Sequence, residues 1–203
     1  MQHILVERKN LGLITTRQTR DTWGAWVTST ICDHKSFAAY DTNSLFPLYL
    51  YATEQEIESG LYNAGDRRPN LSDAFTNDLA HRLGLTFTPD GAGDLAQTVG
   101  PEAIFHYIYA IFHSPTYRTR YAEFLKIDFP RVPLTRNRDL FAALVAIGAQ
   151  LVDMHLLRLP GTAGVGGAGG AAILHNPQQQ GVGAPQAGSN IVEQVQYIDP
   201  APN

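Results

Sequence analysis

Hydrophobic and polar positions follow two rhythms along the chain of 203 residues. Up to Tyr51, short runs rich in β-branched and aromatic residues alternate with polar segments: LGLITT from Leu11, AWVTSTIC from Ala25 and FPLYLY from Phe46. This spacing predicts strands, with Arg17 and Gln18 closing the first. Beyond residue 70 the repeat lengthens to nearly four. Leu71, Phe75, Leu79 and Leu83 share one face and Gly84 offers a stop, which predicts a helix over 70–84. Gly100 and Pro101 open another, in which Ile104, Phe105, Ile108, Ile111 and Phe112 form an apolar stripe. His113 ends it. Ser114 supplies a cap oxygen and Pro115 suits the first position of a helix, so a new helix is expected there. On it Tyr117, Tyr121, Phe124 and Leu125 fall on one side, leaving Arg118 exposed and Arg120 and Lys126 nearer the edges. Asn137 to Leu157 read as a last helix, through Leu140, Phe141, Leu144, Ile147, Leu151 and Met154.

The pattern predicts an α+β fold: mostly antiparallel strands over 1–51, then a helical part over 70–158, together one domain of residues 1–158. Residues 159–190 are rich in Gly, Pro and Gln and hold too little apolar surface to order themselves, so a flexible segment is expected. IVEQVQYI, within 191–203, returns to strand-like alternation and needs a sheet to join.

Composition narrows the function classes. A hydrophobic share of 44% and a charged share of 17% are ordinary for a globular chain, and a net charge of −4 excludes a uniformly basic nucleic-acid binder. Basic character is local. Between Thr116 and Arg138 the basic residues Arg118, Arg120, Lys126, Arg131, Arg136 and Arg138 face only Glu123 and Asp128, and no Lys or Arg follows Arg158. Cys32 is the only cysteine, so no intrachain disulfide can form and the cytoplasm is the expected compartment. The start of the chain lacks a signal-peptide core, and the most apolar segment, 140–157, is interrupted by Gln150 and Asp153, so no membrane span is expected.

Most motifs that carry chemistry fail on context. Gly164, Gly166 and Gly169 satisfy GxGxxG without a strand before or a helix after. PDGAGD at 89–94 opens like a calcium loop but has Leu95 where glycine is required and Pro101 where the bidentate glutamate belongs, which predicts an ordinary turn. Cys32 and His34 sit two apart near a strand end, and a buried structural cysteine is the expected reading. No HExxH, GxSxG or phosphate-binding loop occurs, and no metal site is predicted. What remains is a set of polar clusters: Thr16-Arg17-Gln18, His34-Lys35-Ser36, Arg67-Arg68-Pro69-Asn70 and the run around Arg118. Arg suits guanine edges, Gln and Asn suit adenine, and Lys or Arg neutralise phosphates.

The stretches NLGLITTRQT from Asn10, HKSFAAYDTNSLFPLYLY from His34, RRPNLS from Arg67 and IFHYIYAIFHSPTYRTRYAEFLKIDFPRVPL from Ile104 closely resemble the C-terminal specificity region of type ISP restriction-modification enzymes and related adenine-specific DNA methyltransferases. The resemblance covers about residues 1–158, and Met1 to Leu5 resemble the stretch just past the methyltransferase domain. The Gly-rich segment 161–188 departs from the family pattern. The resemblance implies a target recognition domain, here as a detached piece. Its partners are then double-stranded DNA and a methyltransferase domain or subunit. It implies no catalytic and no cofactor-binding residue in this chain, S-adenosylmethionine being held by the parent enzyme. Base reading is expected from Arg17, Gln18, His34 and Lys35, with Asn70 a further candidate. Phosphate contacts are expected from Arg67, Arg68, Arg118, Arg120, Lys126 and Arg131, and Tyr107, Tyr109, Tyr117 and Tyr121 are expected to be scaffold. The competing reading is a protein-interaction module that docks a partner subunit without reading DNA.

Overall fold

A computed structural model describes residues 3–4, 9–20, 22–36 and 41–158. Every described residue belongs to one compact unit within 1–163. The segment expected to be flexible, 159–190, and the strand expected within 191–203 lie outside the described residues.

The N-terminal strands form as the alternation predicts. β1 (Gly12–Thr16) is the central strand, flanked by β2 (Ala25–Thr28) and β3 (Asn43–Pro47), both antiparallel to it. Leu13 lies opposite Val27 on one side and Phe46 on the other. Ala25 and Val27 are buried while Trp26 between them is exposed, the signature of a strand with one face on the core.

The expected third strand, FPLYLY, is divided between two sheets. Its first part completes β3, and its second, β4 (Tyr49–Tyr51), pairs antiparallel with β5 (Arg67–Pro69), a strand the sequence reading left among the polar clusters. Leu48 is the joint: its N–H donates to the Leu11 carbonyl at 2.7 Å and its own carbonyl accepts from Asn70 N–H at 2.8 Å. Pro47 precedes it and has no N–H to extend the ladder on β1. A short helix, α1 (Glu54–Glu58), follows β4, started by a capping box in which Thr53 and Glu56 exchange hydrogen bonds.

α2 (Asp73–Leu83) ends at the predicted stop but starts later than residue 70, because Ser72 Oγ accepts from Phe75 N–H and caps it there; Gly84 closes it in the left-handed conformation at φ +62°. β6 (Thr86–Phe87) and β7 (Thr98–Val99) pair in parallel around PDGAGD, which is a turn. One Asp94 carboxylate oxygen accepts from the N–H groups of Ala96, Gln97 and Thr98, which holds its pKa down at about 2.

α3 (Pro101–His113) is the spine of the domain. Its apolar stripe is wider than the spacing predicted, because both sides are covered. Ile104, Tyr107 and Ile111 enter one core with Trp23, Leu79 and Phe141, whereas Phe105 and Tyr109 enter a second with Val27, Tyr49 and Val152. Burying each such side chain stabilises the fold by roughly 1.5–3 kcal/mol before entropy is counted.

Two expectations about the later helices need correction. The helix starting at Pro115 breaks at Tyr121 (φ −109°, ψ 17°) into α4 (Pro115–Arg120) and α5 (Ala122–Ile127), and the changed phase turns Phe124 outward to 60% exposure. Tyr117 and Leu125 remain buried. In α6 (Arg138–His155), capped by Asn137, the buried residues are Phe141, Val145, Gly148 and Val152, so Ile147 and Met154 face outward. The reason is Gly148: a Cβ there would stand 1.9 Å from the His106 carbonyl oxygen, so α6 meets α3 backbone to side-chain-free backbone.

The tyrosines behave as scaffold. Tyr107, Tyr109 and Tyr117 are buried and Tyr121 is half-buried. Tyr107 and Tyr117 donate to the Pro133 and Arg131 carbonyls, each at 2.7 Å, tying the segment after α5 to α3 and α4. Among the described residues no helix is long and apolar enough to cross a membrane.

Candidate nucleic-acid interface

The exposed polar clusters are distributed by the register of β1. At its Thr16 end, Thr16 pairs with Asn43, and Asn43 organises the turn that follows β2. Its Oδ1 accepts from Ser36 N–H at 2.8 Å, its Nδ2 donates to the Asp33 carbonyl at 3.2 Å, and its backbone N–H donates to the His34 carbonyl at 2.8 Å. Asp33 Oδ1 accepts from Lys35 N–H within the turn. The backbone of His34 and Lys35 is thereby fixed while both side chains stay exposed. β2 stops at Thr28, so these residues and Cys32 lie beyond the strand, and Cys32 is half-buried rather than part of the core.

Arg17 and Gln18 leave the same end of β1, both exposed. Arg17 Nε lies 3.4 Å from Asp128 Oδ1, an ion pair open to water on both sides and worth at most about 1 kcal/mol, so the guanidinium can exchange it for a ligand. Thr19 N–H donates to the Lys126 carbonyl at 3.1 Å, which brings the C-terminal turn of α5 alongside. Arg17, Gln18, His34, Lys35 and Lys126 are therefore brought to one end of the sheet.

Beside them is a cleft of about 450 Å³ lined by Arg20, Thr22, Trp23, Arg118, Leu125 and Lys126 among others. Arg118 is half-buried here instead of standing out on a helix face, as its spacing had suggested. Its Nε donates to the Phe112 carbonyl at 2.7 Å, one terminal nitrogen lies 3.4 Å from His113 Nδ1, and its guanidinium carbon is 5.7 Å from the Trp23 ring. Burial lowers its pKa by making the charged form costlier. The neighbouring His113 has its pKa pushed down to about 4 by burial first, then by the charges of Arg118 and His155. Lys126 pairs with Glu123 at 3.0 Å. Arg120 and Arg131 are exposed and form no ion pair with a described residue.

Arg67, Arg68 and Asn70 lie elsewhere. Asn70 Nδ2 donates to the carbonyl of Pro47, which pairs with Gly12 at the opposite end of β1, roughly 14 Å from Thr16 at strand rise. Arg67 stacks over the Tyr49 ring at 3.9 Å, donates to the Lys9 carbonyl at 3.0 Å and pairs with Asp90. Arg68 pairs with Glu56 at 3.1 Å. Arg67, Arg68 and Asn70 are thus set apart from the cluster at the Thr16 end of β1 and are engaged in holding β5. Three members of that cluster's surroundings escaped the sequence reading: Asn43, Arg20 and Thr22. Only Arg20 carried a signal, its charge close after Arg17 and Gln18.

Type ISP C-terminal specificity domains match residues 1–201. Among solved structures, the fold is similar to part of LlaBIII, an ATP-dependent Type ISP restriction-modification enzyme bound to DNA, with 21% identity, 74% of this chain and 8% of that one covered, and a TM-score of 0.53. It is also similar to part of a cryo-EM structure of a DrdV–DNA complex, with 22% identity, coverage of 73% and 12%, and a TM-score of 0.55. The chain therefore spans a small fraction of the length of either protein. Among curated proteins none matches. With a match that runs from residue 1 to residue 201, the chain belongs to the Type ISP C-terminal specificity domain family.

Proposed function

We propose that this chain reads a specific base sequence in double-stranded DNA as the specificity domain of a Type ISP-like restriction-modification enzyme. Membership of the specificity-domain family carries the reading. The gathering of Arg17, Gln18, His34 and Lys35 at the Thr16 end of β1 supports it, because the fixed 33–36 turn and the segment that leaves β1 present donors and acceptors of the kind that pair with base edges. Arg120, Arg131 and Lys126 serve as phosphate contacts. Arg67, Arg68 and Asn70 serve chiefly to hold β5. The parent's methyltransferase part would flip an adenine and methylate it with S-adenosylmethionine, neither step using residues of this chain.

The exposed Phe124 and Ile127 of α5 favour a second reading, a surface that docks a partner subunit. Salt separates the two. A reader that neutralises several phosphates loses affinity steeply as salt rises, with a log–log slope of about −0.9 per phosphate, whereas apolar docking hardly responds. Duplexes selected from a random pool should share a base motif, and Arg17→Ala should relax it at one position by roughly 1–3 kcal/mol. A pool that yields no motif, with binding insensitive to salt, would refute the proposal.

A further inference from the structure

We infer that the cleft lined by Arg20, Thr22, Arg118 and Lys126 is a seat for one backbone phosphate of duplex DNA; the inference rests on the DNA-reading role proposed above. Arg20 and Lys126 are exposed, and Thr22 adds an exposed hydroxyl. Arg118 is the fixed element: its Nε is spent on the Phe112 carbonyl, which orients the fork, and no described carboxylate pairs with it. Among the described residues the acid paired to a lining side chain is Glu123, 86% exposed beside Lys126. Asp41 Oδ2 accepts from the Thr19 hydroxyl at 2.7 Å and from the Arg20 backbone N–H at 3.3 Å, so this carboxylate is bonded to the backbone beside the cleft and forms no ion pair with the Arg20 guanidinium. Three cations thus line one cleft, and among the described residues the carboxylates bonded to lining residues are Glu123 and Asp41, which leaves an excess of positive charge that favours an anion. A half-buried guanidinium without a carboxylate is costly by itself and is relieved when an anion completes its hydrogen bonds.

The apolar walls decide which part of DNA fits. Trp23 and Leu125 are 5% and 3% exposed, so neither offers a ring or flat face on which a base could stack. A phosphodiester oxygen, rather than an unstacked base, matches the lining. Free inorganic phosphate shares that chemistry, and the test separates the two.

The experiment uses the full chain and a duplex selected from a random pool by its own binding. Single uncharged methylphosphonates are placed at each position in turn. One position should cost the wild type about tenfold in affinity, the worth of a charge-assisted contact. The double variant Arg20→Ala with Lys126→Ala should be indifferent to that position and show a salt slope flatter by about 1 to 2, with unchanged thermal unfolding. A double variant that still senses the same position overturns the seat while leaving the DNA-reading role intact. So does a chain that senses no single position but is stabilised by inorganic phosphate at constant ionic strength, since the ligand is then the free anion. Failure of the wild-type chain to retain any duplex overturns the seat and the DNA-reading role together.

Discussion

Replacing Gly148 with alanine tests the packing on which the domain depends. The added Cβ would stand 1.9 Å from the His106 carbonyl oxygen, 2.6 Å from its carbon and 3.0 Å from its Cα, against ordinary contacts that begin at 3.4 Å. The obstacle is backbone, not a flexible side chain, so α6 must withdraw from α3 by roughly 1.5 Å. A gap of 0.5–1 Å already forfeits a quarter to a half of a dispersion contact, and here Phe141, Val145 and Val152 all lie on the withdrawing face. The loss should resemble a core truncation, about 3–5 kcal/mol, partly offset by the roughly 1 kcal/mol that alanine gains over glycine inside a helix. The expected net destabilisation is about 3 kcal/mol, a fall in Tm of roughly 6–12 °C for a domain of this size. Thermal unfolding followed by circular dichroism measures it. Gly24→Ala is the control, because its Cβ would meet only Trp26 Nε1 at 3.4 Å and should leave Tm nearly unchanged. A Gly148→Ala chain that melts at or above the wild-type temperature would refute the backbone-close contact of α3 with α6.

Other outcomes follow from buried polar groups. Asn10 Nδ2 donates to the His3 and Tyr49 carbonyls, each at 2.8 Å, while its Oδ1 accepts from the N–H groups of Leu11 and Tyr49; Asn10→Asp turns two donations into repulsions and should lower stability by about 3 kcal/mol in urea titrations. His113 is held neutral in the fold, with a pKa of about 4 against 6.5, so the unfolded chain binds the extra proton in that window. Stability contributed by the neutral ring is complete above pH 6.5 and declines as pH falls toward 4, by on the order of 2 kcal/mol once its partial exposure is discounted. His113→Phe should flatten that decline in pH-dependent melting, and an unchanged slope would exclude His113 as its source.

Local signals were legible in the residues and non-local ones were not. Ser72 and Gly84 bound α2, Pro101 starts α3 and Asn137 caps α6, all through groups within a few positions of the helix ends. The same kind of signal was present for α1, in Thr53 and Glu56, and was overlooked. The division of FPLYLY at Leu48 is different, since it depends on carbonyls and N–H groups at Leu11 and Asn70. The phase of α6 was misjudged because its buried face centres on a glycine, which an apolar stripe passes over. The site followed the same division. Arg17, Gln18, His34 and Lys35 were visible as exposed turn chemistry, yet nothing local tied them together, because the tie is Asn43. Arg67, Arg68 and Arg118 looked equally free in sequence; their partners Asp90, Glu56 and the Phe112 carbonyl are supplied by folding.

The anchoring of the 33–36 turn by Asn43 has a consequence for inheritance and redesign. The bonds that shape the 33–36 turn come from Asn43 and from the turn's own backbone and short side chains, while Arg17, Gln18, His34 and Lys35 point away from both cores. Replacing those four outward side chains therefore leaves the hydrophobic packing and the turn geometry as they were. Exchange at these positions gives up only the exposed contacts of Arg17 with Asp128 and of His34 with Asp33, provided Thr16 and Asn43 are kept, so one scaffold can carry different combinations of side chains there.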